Sequence, residues 1–227
     1  IAAHPSQHPN ARWVGNRLPE YLAERVARAH PEIAELAALE RALANAFDAS
    51  DSPLLRLQDL ADVPPERWSD LVFRPHPSAA RLDEAHNTLA IWSAMKEDAT
   101  PPPPCREADI VHLLVWRRDG RATVRKLGPE EAMLWDEAAR GVPFGRLCEL
   151  AAVFDDPDTA PVRVAGTLRG WLESGLVTET TSAAEPATEA AAIDCDVMVV
   201  ALLRPGKGHA ECLPSKPLLM KTQCVEP

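Results

Sequence analysis

The sequence is short of positive charge, of glycine and of any signature of chemistry. Lysine and arginine total 24 against 34 aspartates and glutamates, which gives a net charge of −10 and a pI of about 5.2. That deficit removes the broad attraction to phosphate backbones behind most non-specific DNA affinity, although a local basic patch stays compatible with it. Ten glycines against 22 prolines make the loops stiff. The longest apolar run, Val197 to Leu203, falls far short of the ~20 residues a membrane-spanning helix needs, so no membrane association is expected. The five cysteines (Cys105, Cys148, Cys195, Cys212 and Cys224) form no CxxC pair, zinc pattern or disulfide framework, and a cytoplasmic setting is the expectation. The chain opens at Ile1 without methionine and without a charged segment leading into an apolar one. A piece of a longer protein, with no visible signal peptide, is expected from that.

Catalytic signatures are missing as well. There is no GxSxG, no HExxH and no phosphate-cradling glycine loop, and Lys126 is the only lysine between positions 97 and 206. No nucleophile, base and orienting group can be assembled, so the expectation is a binding subunit with no catalytic residue, metal ligand or cofactor of its own. His4 and His8 are four apart, but Pro5 and Pro9 disfavour the helix that would bring them together on one metal. His76 and His112 stand alone in turn or apolar contexts and read as structural.

What is present is an apolar fraction of 46%, enough for a sizeable core, arranged in recognisable periods. A helix is expected from Leu18 to Ala29, with Pro19 in its first turn. A second begins at Pro31 and carries Ile33, Leu36, Leu39, Leu43 and Phe47 on one face. Glu32, Glu35 and Glu40 lie off that stripe and read as solvated. Leu54 to Trp68 reads as a short helix and turns, and Leu71 to Arg74 as a strand stopped by Pro75. Ser78 to Leu82 fits a short strand or a turn, and Leu89 to Met95 fits either strand or helix. Four consecutive prolines, Pro101 to Pro104, mark residues 97–108 as a linker with polyproline character.

Beyond the linker, Ile110–Trp116 and Arg121–Leu127 flank Asp119-Gly120, the pairing a type I′ hairpin turn requires. Helices follow from Pro129 (closed by Gly141), from Pro143 to Phe154, and from Ala160 to Ser174 (closed by Gly175). Gly175 to Glu179 then reads as a closing strand. The expected fold class is therefore α+β: a mainly helical part over 1–96, the linker, and a winged-helix-like domain over 109–180. Residues 181–227 read as a spacer and cysteine-containing tail of uncertain order. As a DNA reader the third helix offers only Arg163 and Arg169, opposed by Glu173 and preceded by three aspartates. The hairpin is richer, with Arg117, Arg118, Arg121, Arg125 and Lys126. A peptide needs only a strand edge and an adjoining helix, and no strong charge.

Leu36–Asp51, Leu60–Leu82 with its PPERW and RPHPS, Ile91-Trp92, and the segment through Trp171-Leu172-Glu173-Ser174-Gly175-Leu176-Val177 resemble the HvfC/BufC-like family. These proteins, often described as DNA-binding domain proteins, are related to the methanobactin partner protein MbnC. The resemblance covers roughly residues 1–180; the family's first helices are missing, and the tail lies outside its pattern. It implies a non-catalytic partner of a TIM-barrel, multinuclear-iron enzyme that oxidises cysteines in a ribosomally made precursor peptide, the iron residing in that partner. Peptide binding is then expected at Val115, Arg117, Arg163, Thr167 and Arg169, and docking to the enzyme at Trp68, His76 and Trp92. A DNA-binding transcriptional regulator is the alternative.

Overall fold

Proline placed where a helix can accept it starts most of the helices. In the computed structural model, which describes residues 15–26 and 28–182, Pro19 opens α1 (Leu18–Arg25), Pro31 opens α2 (Pro31–Asp48) and Pro129 opens α4 (Pro129–Ala139). At these positions the missing N–H would have had no partner inside the helix. α1 buries no residue. α2 buries Leu39, Ala42, Leu43 and Ala46. Of the expected stripe Leu39 and Leu43 face the core, Leu36 is half-buried and Ile33 and Phe47 are exposed, while Glu32, expected to be solvated, is buried.

The buried face of α2 packs on an antiparallel sheet of order β2-β3-β4, made of β2 (Ala80–His86), β3 (Arg106–Arg118) and β4 (Arg121–Leu127). Leu113 and Val115 of β3 enter the α2 core with no exposed surface, and Ala80, Leu82, Val111, Ala122, Val124, Leu89 and Trp92 pack around them. Each fully buried aliphatic side chain contributes ~1.5–3 kcal/mol. The β3–β4 turn is as expected: Asp119 and Gly120 adopt φ of 49° and 73°. Leu89–Met95 resolves as helix, within α3 (Thr88–Lys96), and the strand expected near Ser78 runs on to His86. These elements form one of two compact units, comprising, among the described residues, 15–49 and Ser78–Leu127.

The other unit contains Ser50–Pro77 and residues 128–182. Its α4, α5 (Phe144–Ala151) and α6 (Ala160–Glu173) accompany a two-stranded antiparallel ladder of β1 (Leu71–Pro75) and β5 (Val177–Ser182). Aromatic side chains set its core. Trp135 meets Trp171 edge-on at 5.1 Å, and Phe144 meets both Trp68 and Phe73 edge-on at 6.1 Å. Gly175, at φ 69°, ends α6 while Leu176 N–H donates to Trp171 O at 2.9 Å.

The mixed helix-and-sheet content agrees with the expected α+β class. The division of the chain does not follow the expected succession of 1–96, linker and 109–180. The β3–β4 hairpin belongs to the unit of α2, whereas α4–α6 belong with β1. The proline run is not a boundary but lies inside the first unit, where Asn87 Nδ2 donates to Pro103 O at 3.0 Å and Cys105 N–H donates to Asn87 Oδ1 at 2.9 Å. A segment with few donors of its own is held by one side chain that supplies both partners. His4, His8, Cys195, Cys212, Cys224 and the tail beyond Ser182 lie outside the described residues.

Candidate functional site

The most unusual polar chemistry among the described residues gathers where β2 ends. The ladder there is interrupted: Glu84 lies opposite Val111, and His86 lies opposite Arg106, so that residues 107 to 110 of β3 bulge against Ala85 alone. Bulges of this kind re-aim side chains and leave backbone groups to be satisfied elsewhere. Glu35 of α2 takes the place of the missing ladder. Its two oxygens accept the Ala85 N–H at 3.1 Å each, Oε2 accepts the His86 N–H at 3.0 Å, and Oε1 lies 3.0 Å from His86 Nδ1.

Beside this junction Glu84 points inward and is 2% exposed. Its Oε2 accepts the hydroxyl of Thr88, the first residue of α3, while its buried Oε1 has no hydrogen-bond partner. Burial pushes the Glu84 carboxyl up to about 7, and the Glu35 charge adds to that push; the Thr88 hydrogen bond and the Lys126 charge pull the other way. A carboxyl so placed can hold or release a proton near neutrality.

The opposite face of β2 carries a second constellation. Asp83 Oδ1 lies 2.5 Å from His112 Nδ1 across the strand pair, and Asp83 receives both Arg81 guanidinium nitrogens at 2.5 and 2.9 Å. The Arg81 hydrogen bonds, assisted by His112, hold the Asp83 carboxyl below its ordinary range. Asp83 is thus held by Arg81 on its own strand and by His112 across the strand pair.

Neither carboxylate was distinguished by the sequence. Glu35 counted among the solvated acids of α2 because it lies off the apolar stripe, and Glu84 lay past the expected end of its strand. The available signal was alternation: Ala80, Leu82 and Glu84 fall on one face and Arg81 and Asp83 on the other, which places a carboxylate in line with core residues.

The residues expected to bind a peptide do not form one surface within either unit. Val115 and Arg117 belong to the first unit, whereas Arg163, Thr167 and Arg169 belong to the second. Val115 has no exposed surface and sits on the central strand, paired with Ala80 on one side and Val124 on the other, so it offers neither a side chain nor an edge. Arg117 donates to Phe47 O at 2.9 Å and Ala49 O at 2.7 Å, satisfying carbonyls at the end of α2. Arg163 bonds Glu130, Thr159 Oγ1 and the carbonyls of Ala151 and Asp156, and Arg169 bonds Glu173 at 2.7 Å. Thr167 is half-buried on α6.

Two of the three expected docking residues are interior. Trp68 has no exposed surface, because its ring turns onto Phe144 and its Nε1 donates to Val63 O at 3.2 Å. His76 is 5% exposed, with its N–H donating to Leu176 O at 2.8 Å. Trp92 is half-buried against the α2 core. In the three-stranded sheet β2 and β4 are both edge strands, each paired among the described strands with β3 alone. Comparison with known proteins returned no matching family model, no matching curated protein and no matching solved structure.

Proposed function

We propose that this chain is a non-catalytic partner subunit of a multinuclear-iron, TIM-barrel enzyme, forming a heterodimer in the cytoplasm that binds and presents a ribosomally made, cysteine-containing precursor peptide. The iron belongs to the partner. The resemblance carried by PPERW and RPHPS motivates this reading, and the observation that supports it is the edge position of β4. A strand bonded on one side only can take an extended peptide as a further strand, with backbone hydrogen bonds giving affinity and alternate side chains giving selectivity. In this proposal α4–α6 with β1 and β5 form the winged-helix-like part, its strands coming from β1 and β5 and not from the β3–β4 hairpin.

A duplex-reading regulator is less well supported. It needs cations on α6 to meet phosphates and bases, and both Arg163 and Arg169 are bonded to carboxylates of this chain. Co-purification of the full chain with the iron enzyme and its precursor peptide is the test. A complex at micromolar concentration is expected; its absence, or duplex binding that weakens steeply with salt, overturns the proposal.

A further inference from the structure

Glu84 is the one described carboxylate that is both buried and left with an oxygen lacking a partner. A group of that kind is costly when charged and tolerable when neutral. The Glu35 carboxylate beside it is the clamp that fastens α2 to the Ala85 and His86 amides across the bulge. Charge on Glu84 therefore works directly against the clamp at the point where the β2–β3 ladder is already broken.

We propose that Glu84, Glu35 and the bulge form a proton-gated clasp, held shut when Glu84 is protonated and loosened at the C-terminal end of β2 when that proton is lost. This goes beyond the partner-subunit reading and does not depend on it.

The surroundings supply little to offset the charge. α2 presents Glu35, a like charge, and Glu32 is already held by His30 at 3.1 Å. From α3 the only polar contact is the Thr88 hydroxyl. The β3 residues in line with Glu84, Val111 and Leu113, are uncharged. On β2 itself Asp83 points to the other face with Arg81 and His112, and His86 is bonded to Glu35. Lys126 of β4 is the one cation whose charge favours ionised Glu84, and burial outweighs it. Ionised Glu84 is relieved by turning outward, which releases Thr88 and strains the hold of Glu35 on Ala85 and His86. What opens is the end of the β2–β3 pairing, at Glu84 opposite Val111 and at His86 opposite Arg106.

The direction with pH follows from linkage. The carboxyl titrates near 4.5 once open and near 7 when closed. Opening therefore becomes easier as pH rises from about 4.5 to 7 and levels off above, with a slope of about tenfold per pH unit for a single proton. The experiment is amide hydrogen exchange on the full chain at pH 5, 6, 7 and 8, expressed as protection factors so that intrinsic exchange cancels. Protection at Ala85 and His86 is expected to fall about tenfold per unit between pH 5 and 7 and then flatten, and to stay flat throughout in Glu84→Gln. A flat profile in the unsubstituted chain, or an equal fall in Glu84→Gln, overturns the proposal. If Glu84→Gln does not fold, the carboxyl carbon of Glu84 is titrated by NMR in the unsubstituted chain. A midpoint near 7 that moves together with the exchange of Ala85 supports the clasp, and a midpoint near 4.5 overturns it.

Discussion

Asn87 and Cys105 hold one another from both sides: the Asn87 N–H donates to Cys105 O at 3.0 Å, and the Cys105 N–H donates to Asn87 Oδ1 at 2.9 Å. With Asn87 Nδ2 on Pro103 O, one buried amide fixes the exit of the proline run against the start of α3. Replacing Asn87 by Ala strands the Cys105 N–H and the Pro103 carbonyl. A loss of about 1–3 kcal/mol in urea unfolding is expected, with Asn87→Asp, which keeps the acceptor, falling between the two.

Stability carries two pH windows of opposite sign. Asp83 has a lowered carboxyl pKa, so its contribution is present above 3.8 and is lost as pH falls through the lower folded value. Glu84 is raised from 4.5 to about 7, so stability declines as pH climbs between those values, by about 3 kcal/mol in all. Urea titrations from pH 3 to 8 should show both slopes, with Asp83→Asn removing the acid one and Glu84→Gln the neutral one.

Glycines of two helices should respond oppositely to alanine. A Cβ on Gly145 in α5 meets Ser69 Cβ at 3.0 Å and Ser69 O at 3.2 Å, and the backbone there has little room to yield. Gly145→Ala is expected to lower stability by about 1–3 kcal/mol despite better helix propensity. At Gly166 in α6 nothing lies within 4 Å, so Gly166→Ala should raise stability by up to ~1 kcal/mol. Thermal melts of the two variants decide it.

Arg163 and Trp68 separate structural from recognition roles. Arg163 ties α6 to Glu130 on α4 and to the α5–α6 turn at Ala151 and Asp156. Arg163→Ala should lower the urea midpoint and leave no separate effect on duplex binding. Trp68→Ala opens a cavity beside Phe144 and should cost ~3–5 kcal/mol. A Trp68→Ala protein of unchanged stability that fails to dock an enzyme would refute that interior role.

The legible parts of this fold are those encoded locally. Pro19, Pro31 and Pro129 start helices where their missing N–H is harmless, and Asp119-Gly120 takes the two positive φ angles its turn needs. Partner choice was not legible. Leu71 of β1 pairs with Ser182 of β5, more than 100 positions away, and nothing near Leu71 names that partner. The β3–β4 hairpin adjoins α4 in sequence but belongs to the other unit, where β3 pairs backward with β2. Pro101–Pro104 reads as a spacer by composition, and only the Asn87 side chain shows otherwise. At the candidate site, Glu84 could have been found by alternation had the strand been followed to His86, whereas the clamp by Glu35 depends on a bulge that no local pattern announces.

The interleaving of the two units has a consequence for biosynthesis. The α2 unit lacks its β3–β4 hairpin until Leu127 has been made, and by then residues Ser50–Pro77 of the other unit have already been synthesised. The apolar Leu71-Val72-Phe73 of β1 waits longest, because its partner ends at Ser182. At about 5–20 residues per second, more than 100 residues of further elongation leave that strand unpaired on the nascent chain for roughly 5–20 s, an interval in which a chaperone or a neighbouring nascent chain competes with β5 for it.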